Sequence, residues 1–489
     1  MSGSNSKILV VKGVFWSGIQ LVVNQSFSFI IKLVLAKLLF PEDFGLIGMA
    51  VVFTGFVQVL NDLGIASALV QKKEEDLKDS HFHTAFWTGL AWGGMLYLLM
   101  CLLVAPLASS FYQEPLLQDL IPVLSLGILS SPINLVHKAQ LTKAMNFKKI
   151  AVVENISSFV SGVIAITLAF MGAGVWSLAF NAVASIVVAM PLYFNATKWT
   201  PKLMWEQAAF KDVFGFGLYT TGTSIVNYLI GNFDYLMIGK LLDSQLLGVY
   251  TFAFVLTDTF RSKLMSVINK VMYPVYGKMQ SSEKSLKKYY LTTVNYNSII
   301  IFPIMLFMIV LGEQFILDIF GEKWEESVAP LSILAFAVMI HMMVNSNTSL
   351  IRGMGKPRLE LTLQIIKSLI FIPTLFFGIH FYGILGAAWA VVVNKIIAVI
   401  IAQYTFNKLL MIKISTGEFW NVVKSPWIAS VITYSIMVYL NRYDINLIIS
   451  TLILFVIYYV VIWLLMGKEI KQQVSNVMSE SERRSNQKV

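Results

Sequence analysis

Apolar stretches of about twenty residues recur along the whole chain between short charged or turn-forming breaks, and a helix crossing a bilayer needs a run of about that length. Spans are expected near residues 13–36, 44–66, 83–106, 117–137, 150–171, 174–196, 213–239, 247–275, 290–314, 327–351, 360–381, 384–406, 425–441 and 446–466. The breaks are brief, as in Phe40-Pro41-Glu42-Asp43 and Met171-Gly172-Ala173-Gly174, and leave no room for a sizeable soluble domain. The pattern predicts an all-α, polytopic membrane protein of about 14 transmembrane helices. The segment up to Lys7 runs straight into the first apolar stretch with no small-residue cleavage site, so it reads as the lead into a first span. Residues 468–489 are polar, mixed in charge, and read as a solvated tail or frayed helix.

Composition supports this reading and removes others. Of 489 residues 57% are hydrophobic and 13% charged, with a mean hydropathy of +0.71, against about 25% charged in soluble domains. An ordinary soluble enzyme is excluded. The single cysteine, Cys101, excludes an intramolecular disulfide framework and a multi-cysteine metal site. The net charge of +10 is explained by where the basic residues fall. They crowd alternate loops, for example Lys72, Lys73 and Lys78, then Lys138, Lys143, Lys148 and Lys149, and later Arg352, Lys356 and Arg358, while the intervening loops hold only Lys37, Lys240, Lys323 and Arg442. Basic residues are retained on the cytoplasmic side, so an even number of spans with both termini inside is expected, and the charge is not a nucleic-acid signal.

The chain also repeats itself. Residues 15–48 align without a gap on 218–251, setting Asn24 on Asn227, Lys37-Leu38-Leu39 on Lys240-Leu241-Leu242 and Gly45 on Gly248. Two parallel six-helix lobes are expected, at 1–211 and 212–411, followed by two additional helices and a cytoplasmic tail at 412–489. Lobes of this kind rock around a central site in transporters.

Charges inside the spans carry the candidate chemistry: Lys32, Asp62, Glu154, Asp234, Asp258, Arg261, Lys263, Lys270, Lys367 and Lys395. Each costs roughly 2.5–3.5 kcal/mol at the bilayer centre unless it faces water or a partner. On the first span Ser17, Gln20, Asn24, Ser28 and Lys32 form one helical stripe, and Thr220, Thr223, Ser224 and Asn227 form its counterpart on the seventh. These stripes are expected to face each other across a polar cavity, with hydrogen-bonded helix packing as the alternative. Arg261, Lys263, Lys367 and Lys395 supply excess positive charge for an anion, the alternatives being a structural pair with Asp258 for Arg261 and pairing across helices for Lys367 and Lys395. Glu154, Asp234 and Asp258 are candidates for ion or proton coupling, with structural pairing to lysines as the alternative. The histidines His81, His83, His137, His341 and His380 show no metal-ligand spacing, and no phosphate-binding Gly-Lys-Ser/Thr loop is present. No catalytic group, metal or cofactor is expected.

The run Lys37-Leu38-Leu39-Phe40-Pro41-Glu42-Asp43-Phe44-Gly45-Leu46, followed by Asn61-Asp62-Leu63-Gly64-Ile65-Ala66-Ser67-Ala68-Leu69-Val70-Gln71, closely resembles the bacterial polysaccharide-transport flippases of the Wzx type. Phe86-Trp87, Gly172-Ala173-Gly174-Val175-Trp176-Ser177-Leu178, Asn232-Phe233-Asp234-Tyr235, Gly239-Lys240 and Gly248-Val249-Tyr250 continue the likeness, which covers most of residues 10–410. The resemblance implies a cargo of undecaprenyl-diphosphate-linked oligosaccharide, turned from the cytoplasmic to the periplasmic face of the bacterial inner membrane by alternating access. By the same likeness, Lys32 ahead of Ala36-Lys37 stands where lipid II flippases carry a functional basic residue, and the last two spans help form a groove for the polyprenyl tail. Asn24, Lys32, Asn227, Arg261, Lys263, Lys367 and Lys395 are then the expected substrate contacts. Membrane lipid, a coupling ion (H+ or Na+) and a polysaccharide polymerase complex are the partners such a role implies. A cation-coupled multidrug exporter of the same superfamily is the competing reading.

Overall fold

The apolar runs fold as helices, and all regular structure among the described residues is helical. The structure is a computed structural model that describes residues 23–486 apart from 25, 63, 64, 411 and 444; the start of the first expected span and the side chains of Asp62, Thr220, Thr223, Lys263 and Lys270 lie outside what it describes. The first described helix, α1, covers 26–38. It is followed by α2 (Pro41–Asp62), α3 (Ile65–Gln71), α4 (Asp79–Leu99), α5 (Ala105–Tyr112), α6 (Leu117–Lys143), α7 (Phe147–Phe170), α8 (Val175–Thr197), α9 (Gln207–Gly231), α10 (Phe233–Leu241) and α11 (Ser244–Phe254). Next come α12 (Phe260–Lys278), α13 (Glu283–Val310), α14 (Gly312–Phe320), α15 (Val328–Met342), α16 (Asn347–Gly353), α17 (Pro357–Tyr404), α18 (Thr416–Leu440) and α19 (Leu447–Asn486).

Helix boundaries follow local chemistry. α2 opens on Pro41, which fits a first helical position, and Asp43 Oδ2 accepts the Phe40 N–H at 3.0 Å. α18 opens on a reciprocal cap, with Ser415 Oγ accepting from Glu418 N–H at 3.1 Å and Glu418 Oε2 accepting from Ser415 N–H at 2.9 Å. α7 and α8 are joined through Gly172 (φ 80) and Gly174 (φ 54), backbone conformations that favour glycine. α17 is broken at Gly383 (φ 56, ψ −137). A Cβ on Gly386 would lie 1.8 Å from the Gly378 carbonyl oxygen; residues eight apart in a straight helix are about 12 Å apart, so the chain reverses at the break and its two arms meet on these glycines.

Ten helices among the described residues are long and apolar enough to cross a membrane. The 52-residue run Arg358–Leu409 contains two of the expected spans. The expected seventh span, 213–239, is divided at Asn232 into α9 and α10. The eighth, 247–275, is interrupted by a π-helical turn at Val255–Thr259, and its Asp258, Arg261, Lys263 and Lys270 lower its apolarity.

The chain forms two compact units, Met1–Phe252 and Ala253–Val489. In the first, α6 is central, packing against α2, α3, α4, α5, α7 and α8, while α9 lies on α2, α3 and α4. In the second, α13 packs against α15 and α18, α15 against α17, and α19 against α18 and α13, so the two C-terminal spans are built onto α13.

Candidate functional site

Basic side chains converge in the second unit. The π-helical turn Val255–Thr259 carries Asp258, and Arg261 follows on the first turn of α12, buried at 8% exposure. π-turns inside α-helices often mark functional positions. Arg261 donates from Nε to Asp258 Oδ1 at 3.0 Å, approaches the same oxygen through its second terminal nitrogen at 2.8 Å, and donates from Nη1 to Asn345 Oδ1 at 2.9 Å. The Asp258–Arg261 pair, the alternative to a substrate role for Arg261, is therefore formed. Lys367 and Lys395 come from the two arms of α17, and the charges of Lys395, Arg261 and Lys367 all act on the imidazole of His341, in the last turn of α15. His341 Nδ1 and Asn345 Nδ2 are buried with no hydrogen-bond partner among the described residues. Glu360, on the same arm as Lys367, is committed to Arg352 through both oxygens, at 2.5 and 2.8 Å. Three cations, Arg261, Lys367 and Lys395, thus act on one histidine, with Asp258 paired to Arg261 and the charge of Glu360 reaching Lys367. Such a set of charges is costly within a membrane unless an opposite charge or water compensates it.

A second polar site lies wholly in the first unit. A cavity of about 350 Å³ is lined by Asn24 and Ser28 from the first helix, by Glu154 and three serines (Ser157, Ser158, Ser161) from α7, and by Asn181 and Ser185 from α8. The α7 residues recur at helical spacing and form one stripe. Asn24 Nδ2 donates to the Glu154 carbonyl at 3.3 Å, Lys138 of α6 forms an ion pair with the Glu154 carboxylate, and Tyr193 OH donates to it at 3.4 Å. Oxygen donors with one carboxylate and no sulfur suit a small hard cation.

The remaining candidates are dispersed. Asp234, 8% exposed, accepts from Tyr250 OH at 3.0 Å and from the Tyr235 N–H at 3.0 Å. Lys32 is half-buried on α1, and Asn227 is exposed on α9. Asn24 and Ser28 turn toward α7 and α8 of their own unit. The roles of His341, Asn345 and Lys138 were not anticipated from sequence; the signal available was a polar residue isolated in an apolar run, or a lysine directly following a span.

The repeat-related glycines touch. A Cβ on Gly45 of α2 would lie 1.6 Å from the Ser244 carbonyl oxygen, and one on Gly248 of α11 would lie 1.7 Å from the Pro41 carbonyl oxygen. Pro41 and Ser244 occupy equivalent places in the repeat, so the crossing is reciprocal, backbone against backbone, as small residues allow in membranes. Around it, Ser244 Oγ donates to Glu114 Oε1 at 2.8 Å and Lys240 Nζ donates to the Phe111 carbonyl at 2.5 Å.

Ten helices long and apolar enough to cross a membrane among the described residues make this a multi-pass membrane protein, and the family and relatives it matches are membrane transporters, not enzymes. The chain belongs to the polysaccharide biosynthesis protein family, whose model matches residues 34–329. It is 26% identical over 404 residues to the lipopolysaccharide biosynthesis protein WzxC of Escherichia coli (strain K12), covering 81% of each chain. It is 24% identical over 386 residues to the teichuronic acid biosynthesis protein TuaB of Bacillus subtilis (strain 168), covering 77% of each. With the succinoglycan biosynthesis transport protein ExoT of Rhizobium meliloti (strain 1021) it shares 25% identity over 350 residues, covering 71% of this chain and 70% of that one. Its fold matches the lipid II flippase MurJ in an inward closed conformation at a TM-score of 0.75 and 15% identity, over 94% of this chain and all of that one. An inward-facing multidrug resistance MATE family transporter matches at 0.60 and 16%, over 80% and 98%. The protein thus takes part in membrane transport for polysaccharide biosynthesis on a MurJ-like and MATE-like fold.

Proposed function

We propose that the protein is a flippase that turns undecaprenyl-diphosphate-linked oligosaccharide repeat units from the cytoplasmic to the periplasmic face of a bacterial inner membrane by alternating access, supplying O-antigen, capsule or exopolysaccharide assembly. The observation that carries this reading is a set of three cations, buried Arg261 on α12 and Lys367 and Lys395 on the two arms of α17 that meet at Gly378 and Gly386, whose charges all reach His341. A pyrophosphate entering lipid loses its hydration, and charge-assisted hydrogen bonds from a guanidinium and two ammonium groups offset that loss. A cationic drug gains nothing there, which weighs against the multidrug-exporter reading. Relatives named for lipopolysaccharide, teichuronic acid and succinoglycan biosynthesis support a lipid-linked glycan as cargo.

Two further parts complete the reading. The Glu154 cavity takes the coupling cation, Na+ or H+, exchanging Glu154 between that ion and Lys138. The Gly45–Gly248 crossing is a gate, closed in this conformation, on the side that the lysine distribution assigns to the periplasm. Deleting the gene and analysing lipid-linked intermediates tests the whole: undecaprenyl-diphosphate-linked repeat units accumulate and one surface polysaccharide is lost. Unchanged export of every glycan with altered drug sensitivity would replace this reading with the exporter.

A further inference from the structure

Residues 198–206, which join α8 to α9, form no helix yet are tied closely to α4. Trp199 stacks on His83 at 5.0 Å between ring centres and donates Nε1–H to Asp79 Oδ1 at 3.2 Å. The Lys202 N–H bonds His83 Nδ1 at 3.0 Å, and its carbonyl accepts from Trp87 Nε1 at 2.7 Å. Farther on, Trp205 Nε1 donates to Thr88 Oγ1 and the Glu206 N–H to Thr84 Oγ1, each at 3.1 Å. Both ends and the middle of the segment are therefore fixed.

Held in this way, the segment presents apolar side chains outward. Leu203 is 92% exposed, Trp205 57% and Met204 45%. Lys198, Lys202 and Lys211 are exposed around them, while Asp212 is matched by Lys72 at 2.5 Å and His81 at 3.4 Å, leaving Glu206 as the acid of the segment itself. The segment starts where α8, a membrane-crossing helix, ends at Thr197, so it lies at the level of the bilayer surface.

We propose that residues 198–206 are an interfacial anchor, with Leu203, Met204 and Trp205 entering the boundary between headgroups and acyl chains, and Lys198, Lys202 and Lys211 engaging anionic phospholipid headgroups. An apolar face flanked by lysines is the composition of segments seated in a membrane surface, and an indole suits that boundary. Each lysine near an anionic surface strengthens attachment about fivefold. A protein partner is a poorer occupant, since three side chains fall far short of the roughly 800 Å² per partner that a stable interface covers. The anchor does not depend on the identity of the cargo.

The test uses the full-length protein with Cys101→Ala and Leu203→Cys, carrying an environment-sensitive fluorophore, in nanodiscs of phosphatidylcholine with or without phosphatidylglycerol. Met204→Cys serves as a second labelling site should Leu203→Cys fold poorly. The label is expected to be quenched by lipids spin-labelled near the headgroup and shielded from acrylamide, relative to the same label at exposed Lys73. In the anionic discs, the triple variant K198E/K202E/K211E should lose most of that shielding. Acrylamide access equal to that at Lys73 in both lipids overturns the anchor, and is also the outcome expected of a protein-docking surface. Shielding unaffected by the triple variant overturns the role given to the lysines.

Discussion

Adding one methyl group to Gly45 tests the gate through geometry alone. The Cβ of Gly45→Ala would sit 1.6 Å from the Ser244 oxygen, about 1.8 Å short of the 3.4 Å at which ordinary contact begins, and the opposing atom is backbone, which cannot rotate away. α2 and α11 must separate, and overpacking of this kind costs about 1–3 kcal/mol, a shift of about 5- to 150-fold against the closed state. Gly248→Ala should act alike, because its Cβ meets the Pro41 oxygen at 1.7 Å. Gly48→Ala, on the same helix, is the control: its nearest neighbours lie at 3.4 Å. Spin labels at Glu42→Cys and Gln245→Cys, exposed and equivalent in the repeat, report the crossing by pulsed dipolar distance measurement in a Cys101→Ala background. Both tight glycine variants should deplete the short-distance population and slow transport, while Gly48→Ala should match the parent. Parent-like distances and transport in Gly45→Ala would refute a closed gate at this crossing.

The other sites give equally direct expectations. Glu154→Gln should abolish dependence of transport on the coupling cation, measured as the ratio of rates with and without an imposed Na+ or H+ gradient; a retained ratio removes the cavity from coupling. Lys138→Met should raise apparent cation affinity by up to about fivefold, the worth of a partly exposed ion pair. Lys72 first, then His81, hold the Asp212 carboxyl below its usual range, so the folded state favours its charged form. That contribution is present above the unfolded-state value and disappears as pH falls through the lowered one. Asp212→Asn should therefore lower the melting temperature at pH 7 but make little difference well below about pH 4, near the ordinary aspartate value. Arg261→Ala leaves half-buried Asp258 without its ion pair and should lower stability as well as transport, making Lys367→Ala the cleaner loss-of-transport variant.

Much of the architecture was legible because a membrane allows few solutions. Run length predicted the spans at 117–137, 150–171 and 174–196, and the structure places α6, α7 and α8 there. The 360–381 and 384–406 pair corresponds to the arms of α17 on either side of Gly383. The break at Val255–Thr259 was not legible, since a π-turn keeps the apolar pattern while inserting a residue, and the turn at Asn232 lies inside the single apolar run of 213–239. Site geometry was less readable still. Periodicity puts Asn24, Ser28 and Lys32 on one face but does not say which neighbour that face meets, and Asn24 and Ser28 meet the α7 and α8 serines and asparagine. Lys367 and Lys395 looked uncompensated on their own helices, yet their convergence with Arg261 on His341 required the reversal at Gly383 to be known. The match of Gly45 to Gly248 was visible in sequence, but their mutual contact was not.

Reconstituted flipping tests the central claim most directly. Purified protein is placed in liposomes containing undecaprenyl-diphosphate-linked oligosaccharide, and the sugar is oxidised from outside by membrane-impermeant periodate. Wild-type protein should raise the oxidised fraction from the outer-leaflet share toward completion, and the Lys367→Ala/Lys395→Ala variant, inserted and folded normally, should leave it near the protein-free level. Oxidation confined to the outer leaflet with active wild-type protein, or a double variant that flips as fast as wild type, would contradict the account.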